Sequence, residues 1–280
     1  MAYGIFTTTQ SGAVLTASID NAPINICDWK FMSDFDDLLS TITSSRDVKV
    51  LVVKSANPDF FVAHIDLLPR AESTLPEMHP EYPTLGFFSG LMYKLTNLPL
   101  VTIALVEGRA RAAGCDFTMA FDIRFGVRGR TRLSHIEACI GIYAAGGGAM
   151  RWTQQMGKER ALEYLYSGSD IEAEEAERYG LINRAFNTSA EMYEFVDAYV
   201  GRVAKFELTG LAMTKKRVND ATRASSLEVF EKDFQVFMEL LSLPKTTQLV
   251  GEIWALVRGA TDCDEERTLP DALMALPSYN

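Results

Sequence analysis

Two carboxylates stand among apolar neighbours. Asp116 lies in the run CDFTMAF, and Glu137 is flanked by Ile136 and Ala138. A carboxylate in such a setting is costly unless it is paired, solvated or placed at a helix N-terminus. Two carboxylates in one apolar pocket split their pKa values and share a proton, which suits paired acid–base work. The alternatives are a helix-capping role for Asp116 and a surface position for Glu137. Gly146–Gly148 is a triple glycine ahead of a helical stretch, which invites a phosphate-loop reading. No lysine–serine pair follows it, and the spacing is wrong for a nucleotide loop. Cys27, Cys115, Cys139 and Cys263 form no CxxC pair and have no histidine cluster nearby. No metal site or disulfide framework is expected from them, and a reducing compartment fits better.

The elements that must position these residues read as an alternation of strands and helices. Ala13–Ser18, Val48–Ser55, Leu100–Val106 and Asp122–Val127 are short apolar runs of strand character. Lys30–Thr43 places Phe31, Phe35, Leu38, Leu39 and Ile42 at helix spacing, and Leu85–Lys94 is a second helix. Repeated strand–helix–strand units argue for parallel pairing with crossovers. Pro69–Pro83 contains four prolines among polar residues and reads as a mobile surface loop, a candidate lid. Helices are expected over Arg151–Tyr166, Glu172–Tyr179 and Ala190–Lys205, and then from Glu207 to Val257. The tail after Gly259 is expected to dock on a neighbour.

Composition narrows the function classes. The chain has 280 residues, 48% hydrophobic and 23% charged, as in an ordinary globular protein. Its formal net charge of −10 argues against nucleic acid or an anionic membrane as a main partner. The first residues lack a basic segment followed by an apolar run, no apolar stretch reaches membrane-span length, and the final residues SYN are no peroxisomal address. A cytoplasmic location is the expectation.

Four segments, in order, carry a resemblance. They are DFFVAHIDL (Asp59–Leu67), LPLVTIALVEGRARAAGCDFTMAFD (Leu98–Asp122), LSHIEACIGIYAAGGG (Leu133–Gly148) and LYSGSDIEAEEAERYGLINRAF (Leu165–Phe186). Together they resemble the crotonase, or enoyl-CoA hydratase/isomerase, superfamily from about Ala13 to Ala260. The resemblance implies an α/β fold, a spiral of ββα turns over residues 1–205, and a helical trimerisation region over 206–280. It also implies homotrimers or homohexamers. The apolar positions Phe230, Phe234, Phe237, Leu240 and Leu241 form a helical face for which a partner surface is expected.

The shared chemistry of the family is stabilisation of an enolate by two backbone N–H groups. The substrate is an acyl-CoA thioester, so coenzyme A enters as part of the substrate and no separate cofactor is implied. By position the donors are the amides of Ala63 and Ala113, with Ala113 in place of the usual glycine. Asp116 and Glu137 stand where hydratases carry two glutamates. Ile65, Asp66, Gly114 and Gly141 are implied substrate or coenzyme A contacts, and the triple glycine becomes a close-packing turn. The aspartate is one methylene short, about 1.5 Å of reach, which favours a reaction in which Glu137 does most of the proton work. His64 replaces a glycine and is either a second general base or hydrogen-bond donor, or a histidine of a surface turn. His135 reads as a loop histidine. Arg109 and Arg111 either contact an anionic substrate or stand solvated. Asp20–Ile24 lacks the basic residue that often meets the coenzyme A phosphates. That keeps open a hydrolase or lyase acting on a diketone-like carbonyl compound without coenzyme A, and a non-catalytic scaffold is the third reading.

Overall fold

The computed structural model describes residues 2–45, 47–67, 77–222, 226–259 and 261–279. The chain opens with β1 (Ala2–Tyr3), β2 (Phe6–Ser11) and β3 (Val14–Ile19), then helix α1 (Trp29–Ser44). Next come β4 (Val50–Ser55), β5 (Phe60–Val62), β6 (Met78–His79), β7 (Tyr82–Gly86) and α2 (Phe87–Asn97). Strands β8 (Val101–Val106) and β9 (Arg109–Arg111) lead into α3 (Ala113–Met119), followed by β10 (Ile123–Val127) and β11 (Arg132–Ser134). After α4 (Gly148–Met156) and α5 (Lys158–Ser167) come β12 (Ile171–Glu172), α6 (Ala173–Arg178) and β13 (Arg184–Phe186). The rest is helical: α7 (Ser189–Val203), α8 (Leu208–Thr222), α9 (Leu227–Leu241), α10 (Pro244–Leu256), α11 (Asp264–Arg267) and α12 (Leu269–Ala272).

The larger sheet has the order β1-β2-β3-β4-β8-β10-β13, and it is parallel from β3 onward. A second sheet, β12-β11-β9-β5, is built from three-residue strands and the shorter β12. Each of β4, β8 and β10 therefore passes from the large sheet into a short strand of the second, which is the ββα spiral. Strand β4 shows why both faces are apolar: Leu51 and Val53 join the main core, while Val50 and Val52 face the core under α7. Helix α1 is capped by Asp28, whose Oδ1 accepts the Phe31 N–H at 2.8 Å. Its buried face sends Phe31 and Phe35 edge-on to Phe117 of α3 at 5.3 and 5.0 Å. All seven residues of α3 are buried, so the element that carries Asp116 is fixed from every side.

Several expectations change in the structure. Arg151–Tyr166 is two helices, because Gly157 takes φ 83° and ψ 163° between them. Residues 78–83 of the proline-rich segment belong to the antiparallel β6–β7 hairpin, and residues 68–76 lie outside the described residues. The tail docks on its own chain: Leu269, Leu273 and Leu276 are fully buried against Ile136, Ile140, Leu249 and Val257. Phe230 and Phe234 of α9 belong to the main core, so their burial needs no partner subunit.

Candidate active site

A cavity of about 110 Å³ opens between the turn after β5, the start of α3, the segment Ile136–Gly146 and helices α9 and α10. Its wall is mostly apolar, with Ile136, Ile140, Ile142, Phe237, Val250 and Ile253 among the lining residues. Asp116 and Glu137 reach it from opposite segments.

Both carboxylates are nearly inaccessible, with 2% and 6% relative exposure. The ring of His135 stands with them. One ligand-type atom from each of Asp116, His135 and Glu137 lies within 4.8 Å of the others. His135 Nδ1 is 3.3 Å from Glu137 Oε1, and the ring is edge-on to Trp152 at 4.6 Å. Asp116 Oδ2 accepts the Gly146 N–H at 3.2 Å. Asp116 Oδ1, His135 Nε2 and Glu137 Oε2 are buried with no hydrogen-bond partner among the described residues. Orphaned buried polar atoms are rare and costly, so a cluster of three marks a place where a ligand or water completes the site.

The protonation states follow from burial and neighbours. Burial pushes Asp116 up to about 7; His135 and Arg151 pull it down, and Glu137 pushes it further up. Burial lowers His135, but Cys115 and Glu137 beside it outweigh burial and hold it well above its ordinary value. At neutral pH the cluster therefore contains an imidazolium against Glu137 and an aspartic acid that readily gains or loses a proton. These donor types also suit a divalent cation, which would have to displace the His135 proton to bind there.

The triple glycine is a packing requirement of this cluster. A Cβ on Gly146 would lie 2.6 Å from Asp116 Cγ, and one on Gly148 would lie 2.3 Å from His135 Cε1. The fully buried guanidinium of Arg151 donates to the Gly146 carbonyl at 2.8 Å and to Thr96 at 2.7 Å, holding the turn whose amide meets Asp116. Capping does not explain Asp116: the N-cap position of α3 is Ala112, and the hydrogen bond that Asp116 Oδ2 accepts comes from Gly146.

The amides at the cavity are disposed unlike the expectation in one respect. The Ala63 N–H donates to the Ile24 carbonyl at 3.3 Å. The neighbouring amide of Ile65, a residue that lines the cavity, has no acceptor among the described residues, and neither does that of Ala113. Ala113 is helical, and the strain falls on Ala112, at φ 48° and ψ −123°. A non-glycine residue held there costs on the order of 1–3 kcal/mol, and such strain collects at functional sites. Of the other expected contacts, Asp66 is buried beside the turn, Gly114 is pressed against the Val62 carbonyl, and Gly141 packs on Thr246; none of these lines the cavity.

His64 lines the cavity but has both ring nitrogens engaged, by the Ile65 carbonyl and Glu266. Arg109 and Arg111 are not among the residues lining the cavity: both donate to the Arg267 carbonyl, at 2.9 and 3.0 Å, and so hold the C-terminal tail. Sequence reasoning missed His135 as a site residue, although its spacing of two from Glu137 was a usable signal. It also missed Arg151, Glu266 and Asp233, the last a carboxylate of α9 that burial pushes up to about 6 beside Tyr143.

Known proteins share this fold and sequence pattern. A structure of a candidate enoyl-CoA hydratase from Streptomyces avermitilis is 31% identical, with a TM-score of 0.88 over 99% of this chain and 98% of that one. An enoyl-CoA hydratase from Bacillus halodurans shares the fold at 19% identity and a TM-score of 0.76, over 89% of this chain and 99% of its own. Human mitochondrial methylglutaconyl-CoA hydratase is 27% identical over 153 residues, 55% of this chain and 44% of that protein. The match thus spans less than half the length of that curated relative. The family model for enoyl-CoA hydratase/isomerase matches residues 9–248. The spiral fold, the nearly full-length structural match and this family match make the chain a member of the enoyl-CoA hydratase/isomerase family, within the crotonase superfamily.

Proposed function

We propose that the chain binds an acyl-CoA thioester, stabilises its enolate at backbone amides, and moves protons with Glu137 and Asp116. The observation that carries this reading is the group of three buried, partnerless atoms on Asp116, His135 and Glu137 beside the free Ala113 and Ile65 amides. The thioester oxygen would take those two N–H groups, each worth about 3–4 kcal/mol as charge develops. Glu137, charged against the His135 imidazolium, is the base toward the α-carbon or an attacking water. Asp116, near neutrality in its proton affinity, returns the proton. Hydration and double-bond isomerisation both use these steps.

The test is incubation of the purified chain with a short enoyl-CoA. Expected are loss of enoyl absorbance and a hydrated or isomerised product by mass spectrometry; no turnover across a chain-length series counts against the reading. A carbonyl compound without coenzyme A is the second reading. It is favoured by the absence of a basic residue from Asp20–Ile24 and of any lysine or arginine from the described cavity wall. Calorimetry with coenzyme A separates the two. A cytoplasmic homotrimer or homohexamer is the assembly proposed.

A further inference from the structure

His64 sits in the turn that offers the Ile65 amide. Its Nδ1 is 3.0 Å from the Ile65 carbonyl oxygen, and its Nε2 is 3.2 Å from Glu266 Oε2. A carbonyl only accepts, so Nδ1 carries a proton. Glu266 arrives from the tail, 202 residues along the chain, and has no exposed surface. Its other oxygen, Oε1, has no partner among the described residues.

The tail is placed there by a separate set of contacts. Arg111 Nη1 donates to the Glu266 carbonyl at 2.6 Å, while its Nε and Nη2 grip Asp170 at 2.9 and 2.7 Å. A wholly buried carboxylate beside an imidazole is tolerable when the imidazole is charged, because breaking a buried pair leaves an uncompensated ion. The charged groups around His64 are Glu266 from α11 and Arg111 from β9, the latter balanced by Asp170. Asp116 and Glu137 line the same cavity, Asp66 follows in the chain, and α10 presents the Trp254 ring at 6.4 Å. Burial lowers His64, yet the Glu266 charge and hydrogen bond outweigh burial and Arg111, leaving it above its ordinary value.

We propose that Glu266 is a positioning residue: it holds His64 as an imidazolium whose Nδ1–H fixes the Ile65 carbonyl, and through it the backbone of the turn whose His64–Ile65 peptide presents the Ile65 amide at the cavity. The effect on turnover rests on the enolate reading above; the protonation of His64 does not.

Two measurements test it. Nitrogen NMR of the histidines in the full, ligand-free chain should show both His64 ring nitrogens protonated at about pH 6.5, and Glu266→Gln should return that ring to the neutral form at the same pH. With an enoyl-CoA that the wild type turns over, Glu266→Gln should lower kcat about tenfold with KM within about twofold, as for a misplaced donor. Since the imidazolium is lost as pH rises through its pKa, removing the Glu266 charge should move the alkaline fall in kcat/KM to lower pH. Glu266→Asp should restore part of both. A neutral His64 in the wild type overturns the proposal, whether or not Glu266→Gln folds. So do unchanged kcat and pH profile in a folded Glu266→Gln, or additive losses in Glu266→Gln and His64→Gln. An imidazolium at His64 in a chain that turns over no thioester overturns the functional reading and leaves the pairing standing.

Discussion

His135 Nδ1 lies 3.3 Å from Glu137 Oε1, while the far nitrogen of that ring and the far oxygen of that carboxylate have no partner among the described residues. The two residues are separated only by Ile136, whose side chain points into the core that the tail completes. This short link orients the carboxylate and supplies a counter-charge, leaving one oxygen for substrate. A glutamate so held presents that free oxygen at a fixed position in a nearly closed site, which a base requires.

Glu137→Gln should therefore preserve fold and size and lower kcat on an enoyl-CoA by at least about 100-fold, the usual worth of a general base. His135→Gln should lower kcat by a smaller factor, because the carboxylate remains without its counter-charge. Steady-state kinetics with circular dichroism checks both. Near wild-type turnover in Glu137→Gln removes Glu137 from the mechanism.

Asp116 makes a stability prediction with a definite sign. Its folded pKa of about 7 is above the ordinary 3.8, so the folded state binds the proton more tightly than the unfolded chain. The stability this group allows is fully present below about pH 4 and is lost as pH rises toward 7, by an amount on the order of 4 kcal/mol. Asp116→Asn stays neutral throughout. Its Tm relative to wild type should rise across that window while its activity falls. A constant difference in Tm between the two proteins at acid and neutral pH would show that Asp116 ionises normally.

Much of the scaffold was legible because it repeats. Helix α1 showed in the spacing of Phe31, Phe35, Leu38 and Ile42, and β4 and β8 showed as valine-rich runs. The second sheet did not show, since β5, β9 and β11 are three residues long and too short for a period. Asp116 and Glu137 stood out as charges among apolar residues. His135 did not, because its meaning depends on Trp152, Cys115 and Asp116, which the fold brings from elsewhere. Arg111 read as either a substrate contact or a solvated arginine, because sequence cannot show that the tail, 155 residues later, returns to take its hydrogen bonds.

The helices at the end of the chain leave a test of assembly. Phe230 and Phe234 face their own core, so the apolar positions free for a partner are others, such as Met213, Val218, Val236 and Leu243, each at least 44% exposed. A trimer or hexamer should use such residues, and light scattering at micromolar concentration should give three or six times 31.1 kDa. Val218→Glu and Val236→Glu should then shift the mass downward. A monomer of wild-type sequence would show that these residues remain solvent-exposed.

The cavity wall predicts which acyl groups are accepted. Ile136, Ile140, Ile142, Val250 and Ile253 offer only hydrocarbon, and the carboxylates of the lining are Glu137 and Asp116. A substrate carboxylate inside this space would lose its hydration and meet like charge, with no lysine or arginine of the described lining to receive it. An apolar acyl group instead gains about 0.8 kcal/mol for each buried methylene. Apolar enoyl thioesters should thus exceed carboxylate-bearing ones of equal length by at least about 100-fold in kcat/KM. Ile253→Arg should narrow or reverse that ratio by supplying a cation with free donors, since both ring nitrogens of His64 are engaged. Competition between an apolar and a carboxylated enoyl-CoA, followed by mass spectrometry, measures it directly. Equal rates in the wild type would place the acyl group outside this cavity.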